Sequence, residues 1–159
     1  MEIPLTRGQI TIVDDDTHEF LTQWKWNAFK TNFGQFYAVR TDCSGPKPKV
    51  IRMHRLLMPD HPELEIDHIN GNPLDNRREN LRYVTRSQNQ MNRVTYSWTR
   101  SGIKGVSWDN NSNSWRIRIM VDGKSMTLGY AKELEIARQI RLEGERTYHG
   151  EYARTLSIY

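Results

Sequence analysis

The chain has 159 residues, with 23 Lys and Arg against 19 Asp and Glu, a formal charge of +4 and a pI near 9.3, a balance compatible with a nucleic-acid partner without demanding one. Five Trp and seven Tyr supply material for real cores despite a mean hydropathy of −0.78, and the length suits one domain or several small modules. The only cysteine, Cys43, excludes an intramolecular disulfide framework or a cysteine zinc site; no apolar run resembles a transmembrane helix and residues 1–4 lack a secretion signal, so a reducing cytoplasm and no membrane partner are expected.

In chain order, Leu5, Ile10, Ile12 and Val13 surround Thr6-Arg7-Gly8-Gln9, the pattern of a short strand around a turn. Asp14, Asp15 and Asp16 interrupt it. Three adjacent carboxylates admit a metal reading, but ahead of His18 to Thr22 they better suit the positively polarised start of a helix. Trp24, Trp26 and Phe29 read as core, and residues 36–40 and 50–53 as strands joined by a basic turn. Lys47 and Lys49 on that turn suit a phosphate or a solvated hairpin tip. Residues 54–58 read as a short helix ended by Pro59; His54 admits a place near the site or against a phosphate, with a packing histidine the better reading.

The chemistry concentrates between Ile66 and Asn89. Asp67 offers hard oxygen ligands, and His68, with an ordinary pKa near ~6.5, can take a proton from water at neutral pH. On an extended strand adjacent side chains point to opposite faces, so ligand and base are separate roles. A polar loop, 70–80, punctuated by Gly71 and Pro73 follows; its Asn70, Asn72 and Asn76 read as turn formers rather than ligands. Residues 81–84 alternate as a half-buried strand does, and Thr85 precedes a helix beginning at Arg86 or Ser87 that carries Asn89.

This order of strand, loop, strand and helix, with Asp67-His68, Asn80-Leu81 and Asn89 in series, resembles the HNH nuclease family and its ββα-metal site. The resemblance implies His68 as general base, Asp67 and Asn89 as ligands of one divalent cation, Mg²⁺ or alternatively Mn²⁺, and Asn80 as the residue fixing the histidine loop. It places the chain in the asparagine-ended branch typified by phage and intron homing endonucleases, whose leader regions residues 1–53 also resemble. An amide oxygen at Asn89 is a weaker ligand than imidazole but suits a hard cation.

Residues 94–101 read as a linker with basic and aromatic groups, and Arg93, one helical turn beyond Asn89, is placed to meet a phosphate. The last module opens at Lys104-Gly105-Val106-Ser107-Trp108. In residues 115–121, Ile117, Ile119 and Val121 face one way and Arg116, Arg118 and Met120 the other; Asp122-Gly123 is a hairpin turn, and 124–130 is the return strand. A helix over about 132–146 then covers the apolar face through Ile136, Ala137 and Ile140. Lys104-Gly105-Val106, Trp115, Leu128-Gly129 and Glu135-Ile136-Ala137-Arg138 resemble the plant ethylene-response-factor (Apetala-type) DNA-binding domain. That resemblance implies a sheet face on duplex DNA made by Lys104, Ser107, Trp108, Arg116 and Arg118.

The expected protein is α+β: a β-rich leader over 1–53, an HNH unit over 54–93, a linker over 94–101 and a three-stranded antiparallel sheet packed on one helix over 102–159. The resemblances imply a homing-type endonuclease that nicks double-stranded DNA as a monomer, with a dimer needed for concerted double-strand cleavage, working in the host cytoplasm if phage-encoded. The alternatives are a non-catalytic DNA-binding regulator that uses the C-terminal module, and a ribonuclease sharing the same chemistry.

Overall fold

The structure is a computed structural model that describes residues 1–92 and 100–153. It is α+β, with four short antiparallel sheets and four α-helices among the described residues. The chain divides into two compact units, Met1–Thr85 and Arg86–Tyr159.

In the first unit, strands β1 (Glu2–Pro4) and β2 (Ile10–Ile12) pair antiparallel around the turn expected at Thr6–Gly8. Helix α1 (Asp15–Thr22) begins at the acidic triplet, with Asp14 in extended conformation at its N-cap. All three carboxylates are occupied by cationic or N–H partners. Asp14 accepts from the Arg78 backbone N–H at 2.9 Å, Asp15 meets the N-terminal amine at 3.0 Å, and Asp16 meets the Arg78 guanidinium at 2.6 Å. Strands β3 (Asn27–Lys30), β4 (Phe36–Asp42) and β5 (Lys49–Arg52) form an antiparallel sheet in that order, and β5 runs directly into α2 (Met53–Leu57). The core gathers Ile3, Leu5, Val13, Leu21, Trp26, Ala28, Ala38 and Met53, with Trp24 partly buried beside it. Phe29 departs from its expected core position: β3 turns only Ala28 inward and leaves Phe29 half exposed.

Strands β6 (Glu65–His68) and β7 (Leu81–Val84) form a two-stranded ribbon in which Asp67 faces Arg82 and His68 faces Leu81. The leader is tied into the loop between them. A parallel bridge joins Ile12 to Asp75, the Ile12 N–H donates to the Leu74 carbonyl at 2.8 Å, and the Asn76 N–H donates to the Ile12 carbonyl at 2.8 Å.

The second unit starts with α3 (Arg86–Met91) and continues into strands β8 (Val106–Asp109), β9 (Ser114–Val121) and β10 (Lys124–Ala131), with β9 central, and α4 (Leu134–Tyr148). The turn between β9 and β10 has positive φ at both Asp122 (47°) and Gly123 (76°), the geometry a two-residue hairpin with this twist requires. Alternation on β9 is as expected, with Ile117 and Ile119 buried and Arg118 and Met120 exposed. Helix α4 bears out the expected stripe at Ala137, which is buried, and Ile140, which packs against the core, but not at Ile136. Ile136 is exposed, while Ala137, Arg141, Gly144 and Glu145 face the sheet. Arg141 is buried because its charge is compensated: Nε and Nη2 donate to Glu145 at 3.0 and 2.7 Å, and Nη1 donates to the Arg118 carbonyl. Gly105, at φ 74°, lies so close to β9 that a Cβ there would overlap the Arg118 carbonyl oxygen. No helix among the described residues is long and apolar enough to cross a membrane.

Candidate active site

The hairpin loop is held by amides. Asn70 and Asn72 act as the sequence suggests: their side-chain oxygens accept from the backbone N–H two residues on, at 2.8 and 3.1 Å. Asn80, buried on the 3₁₀ turn Arg78–Asn80, spans the loop. Its Nδ2 donates to the Asp75 carbonyl at 2.8 Å and its Oδ1 accepts from the Asn70 N–H at 3.0 Å, so one side chain pins both arms. Asp75 is held by two guanidinium bonds from Arg77, at 2.9 and 2.8 Å, which keep its carboxyl below the usual carboxylate range; Asn70 Nδ2 adds a third at 2.9 Å.

His68 is buried at the end of β6, where withdrawal from water pushes its pKa below the ordinary value. Its Nε2 lies 3.3 Å from Oδ1 of Asn76, a residue that is itself almost wholly buried. Asn76 is therefore no mere turn former. Its Nδ2 donates to Thr11 Oγ1 at 2.8 Å, and Thr11 donates to the Leu74 carbonyl at 2.7 Å. Sequence reasoning missed both residues, because a contact across 65 positions leaves no local signature.

His54 departs from a bland packing role in one respect, its neighbour. Its ring meets that of His68 edge to face, with centroids 5.2 Å apart, and Tyr37 on β4 lies 5.8 and 6.3 Å from the two rings. Burial, with the positive fields of His68, Arg52 and Arg55 adding to it, pushes His54 down to about 3, so it is neutral at physiological pH. The sequence reading admitted a place near the site for His54 but favoured packing, because its partner His68 lies fourteen residues on.

Asp67 is buried and receives Arg82 Nε and Nη2 on a single oxygen, Oδ2, at 3.1 and 2.9 Å. A carboxylate has about four acceptor positions, more than the two guanidinium bonds from Arg82 take. Carboxylate and amide oxygens are donors of the kind a hard divalent ion takes, but no group of three or more His, Cys, Asp or Glu gathers among the described residues, so these side chains would supply only part of its shell. Asn89 lies on α3 and belongs to the second unit, whereas Asp67, His68 and Asn80 share the first.

A model described as HNH endonuclease matches residues 58–91, the stretch that contains this ribbon, its loop and α3. Protein 3.8 of Escherichia phage T7 is 36% identical over 89 residues, which span 56% of this chain and 73% of that protein. The chain belongs to the family of that phage protein and carries an HNH endonuclease domain. No solved structure matches it. The HNH domain makes the protein a nuclease-family member with DNA as the implied substrate, and HNH nucleases generally depend on a divalent metal. Asp67, His68, Asn80 and Asn89 all lie within its bounds, while His54, Thr11 and Tyr37 lie outside and reach it only through the fold.

The second unit carries the other expected contacts. Register aligns Ser107, Arg116 and Tyr130 in one row across β8, β9 and β10, with Arg118 and Thr127 in the next row on that face. Tyr130, half exposed, was not anticipated. Trp108 does not share this face, because successive strand residues alternate and it follows Ser107. Its ring packs edge-on to Trp115 at 5.1 Å, with Arg100 over both. The Lys104 ammonium is bound to the carbonyls of Gln90 and Met91 at 2.6 and 3.0 Å, closing the end of α3. Arg93, Tyr96 and Trp98 lie outside the described residues.

Proposed function

We propose that the protein is a metal-dependent DNA endonuclease of the homing type that nicks duplex DNA, with His68 as the general base. The observation that carries this reading is the setting of His68: it stands in the family-matched ribbon, withdrawn from bulk water, with one ring nitrogen held by a buried amide. Burial keeps the imidazole neutral at pH 7, the form that accepts a proton from attacking water. Asn80 keeps the loop and the histidine strand in fixed relation, so little reorganisation is needed at the moment of attack.

By the family pattern, Asp67 and Asn89 are the residues that would hold one divalent cation, Mg²⁺ or Mn²⁺. When bound, that ion supplies Lewis-acid stabilisation of the charge developing on the phosphate and the leaving 3′-oxygen. Arg82 orients the Asp67 carboxylate, and the products are a 5′-phosphate and a 3′-hydroxyl. In this reading the C-terminal unit is an ethylene-response-factor-like targeting module that lays Ser107, Arg116 and Arg118 on DNA. A monomer carries one such site and nicks one strand.

The competing reading, a DNA-binding regulator that keeps the HNH fold as scaffold, draws on the Arg82 pair, which already satisfies part of Asp67. The deciding experiment is conversion of supercoiled plasmid carrying phage-derived DNA to open circle in Mg²⁺ or Mn²⁺. Nicking that His68→Ala abolishes upholds the nuclease. No nicking in either ion, together with no Mg²⁺ binding by calorimetry in the presence of uncleavable DNA, upholds the regulator.

A further inference from the structure

The buried hydrogen-bond chain behind His68 has a direction that can be read from donor and acceptor counts alone. Thr11 Oγ1 lies 2.7 Å from the Leu74 carbonyl oxygen, a separation at which two oxygens must share a hydrogen. A carbonyl has none to give, so the threonine hydroxyl donates, and its lone pairs are then what it offers to Asn76. The Leu74 carbonyl also accepts the Ile12 N–H at 2.8 Å, which fixes it in place on the ladder between β2 and the loop. Asn76 must therefore turn Nδ2 toward Thr11, at 2.8 Å, and Oδ1 toward His68. An amide oxygen can only accept. The hydrogen in the 3.3 Å contact with His68 consequently sits on Nε2.

We propose that Thr11 and Asn76 are positioning residues that hold His68 in its Nε2–H tautomer, so that the basic lone pair is on Nδ1. The mechanistic part of this assignment rests on the nuclease reading; the tautomer itself does not. A general base in the opposite tautomer would present an N–H to the attacking water and could not take its proton. The device spans the first unit. Thr11 belongs to β2 at the start of the chain, has no exposure, and reaches the histidine only because that strand lies against residues 74–76. His54 and Tyr37, ring against ring with His68, restrict its rotation from the other side. The imidazole is thus fixed in plane and in proton placement by groups outside the Asp67, His68, Asn80 and Asn89 motif.

The test is long-range ¹H–¹⁵N correlation of the full-length chain with ¹⁵N-labelled histidine, His68 being assigned by the signals lost in His68→Ala. The expected result is a pyrrole-type Nε2 and a pyridine-type Nδ1 in the wild type. Thr11→Val removes the hydroxyl at nearly constant volume; it should mix the two ring-nitrogen signatures and lower the single-turnover nicking rate on order of tenfold, the scale found when a group orienting a functional imidazole is removed. Thr11→Ser should restore both. A protonated Nδ1 in the wild type overturns the proposal, as does a Thr11→Val chain with unchanged signature and rate. If Thr11→Val does not fold, the wild-type tautomer still decides. A wild-type Nε2–H signature in a chain that never nicks DNA would refute the nuclease reading and leave the tautomer assignment standing.

Discussion

Acid should destabilise the first unit through His54 in particular. The ring is buried and its pKa is lowered from 6.5 to about 3, first by burial and then by the fields of His68, Arg52 and Arg55. Below pH 6.5 the unfolded chain binds a proton here that the folded chain does not, so this contribution is complete above pH 6.5 and drains as pH falls toward about 3. The limiting slope is about 1.4 kcal/mol per pH unit, and the loss between pH 8 and pH 5 is about 2 kcal/mol. His68 adds in the same direction. The assay is hydrogen exchange at pH 8 and pH 5, corrected for intrinsic rates, on peptides covering β4 and β6, with His54→Leu as reference. Carboxylates titrate alike in both chains, so the difference reports His54 together with its coupling to His68. The wild type should lose about 2 kcal/mol more than His54→Leu. Equal losses in the two chains would show that His54 titrates normally in the folded state, and the account of its burial would fail.

The remaining predictions concern the catalytic base, the loop and the second unit. Because burial lowers His68, the nicking rate should hold its plateau below pH 6.5, and a profile whose acid limb has its midpoint at or above 6.5 would contradict the neutral-base assignment. Asn80→Ala orphans the Asp75 carbonyl and the Asn70 N–H; it should cost about 1–3 kcal/mol, read by exchange across residues 65–84, and slow nicking more than it weakens DNA binding. Gly105→Ala adds left-handed strain and a clash with the β9 backbone, so the second unit should lose at least about 1–3 kcal/mol while exchange in β6 and β7 is unchanged. Arg116→Ala and Arg118→Ala should weaken duplex binding and reduce its salt dependence by about one counterion each if both meet phosphate, measured by anisotropy against salt; unchanged slopes would remove that face from the DNA contact.

What could be read from the sequence was what repeats locally. The ribbon β6–β7, the helix after Thr85, the alternation on β9 and the turn at Asp122-Gly123 each carry their pattern within a few residues, and each stands where expected. Strand β3 was hidden because only Ala28 faces inward, leaving no alternation to detect. On α4, Ala137 and Ile140 stand where expected, but the buried Arg141–Glu145 pair reads as solvated surface until both partners are seen. The series Asp67, His68, Asn80 and Asn89 was visible as a motif. The supports of His68 were not: Thr11 is a lone hydroxyl between Ile10 and Ile12, and Asn76 looks like any other loop asparagine.

The bridge between Ile12 and Asp75 also limits how portable the catalytic hairpin can be. A fragment cut at residue 54 would retain the whole HNH-matched stretch, 58–91, and every residue of the motif. It would leave behind Thr11, the strand that orders the loop, and the aspartates that grip Arg78. Grafting the motif onto a new DNA-binding partner therefore means carrying residues 1–91 as one cartridge, the leader together with the whole HNH-matched stretch. Recombination points for engineered chimaeras belong beyond Met91, where neither this bracing nor the HNH-matched stretch is severed.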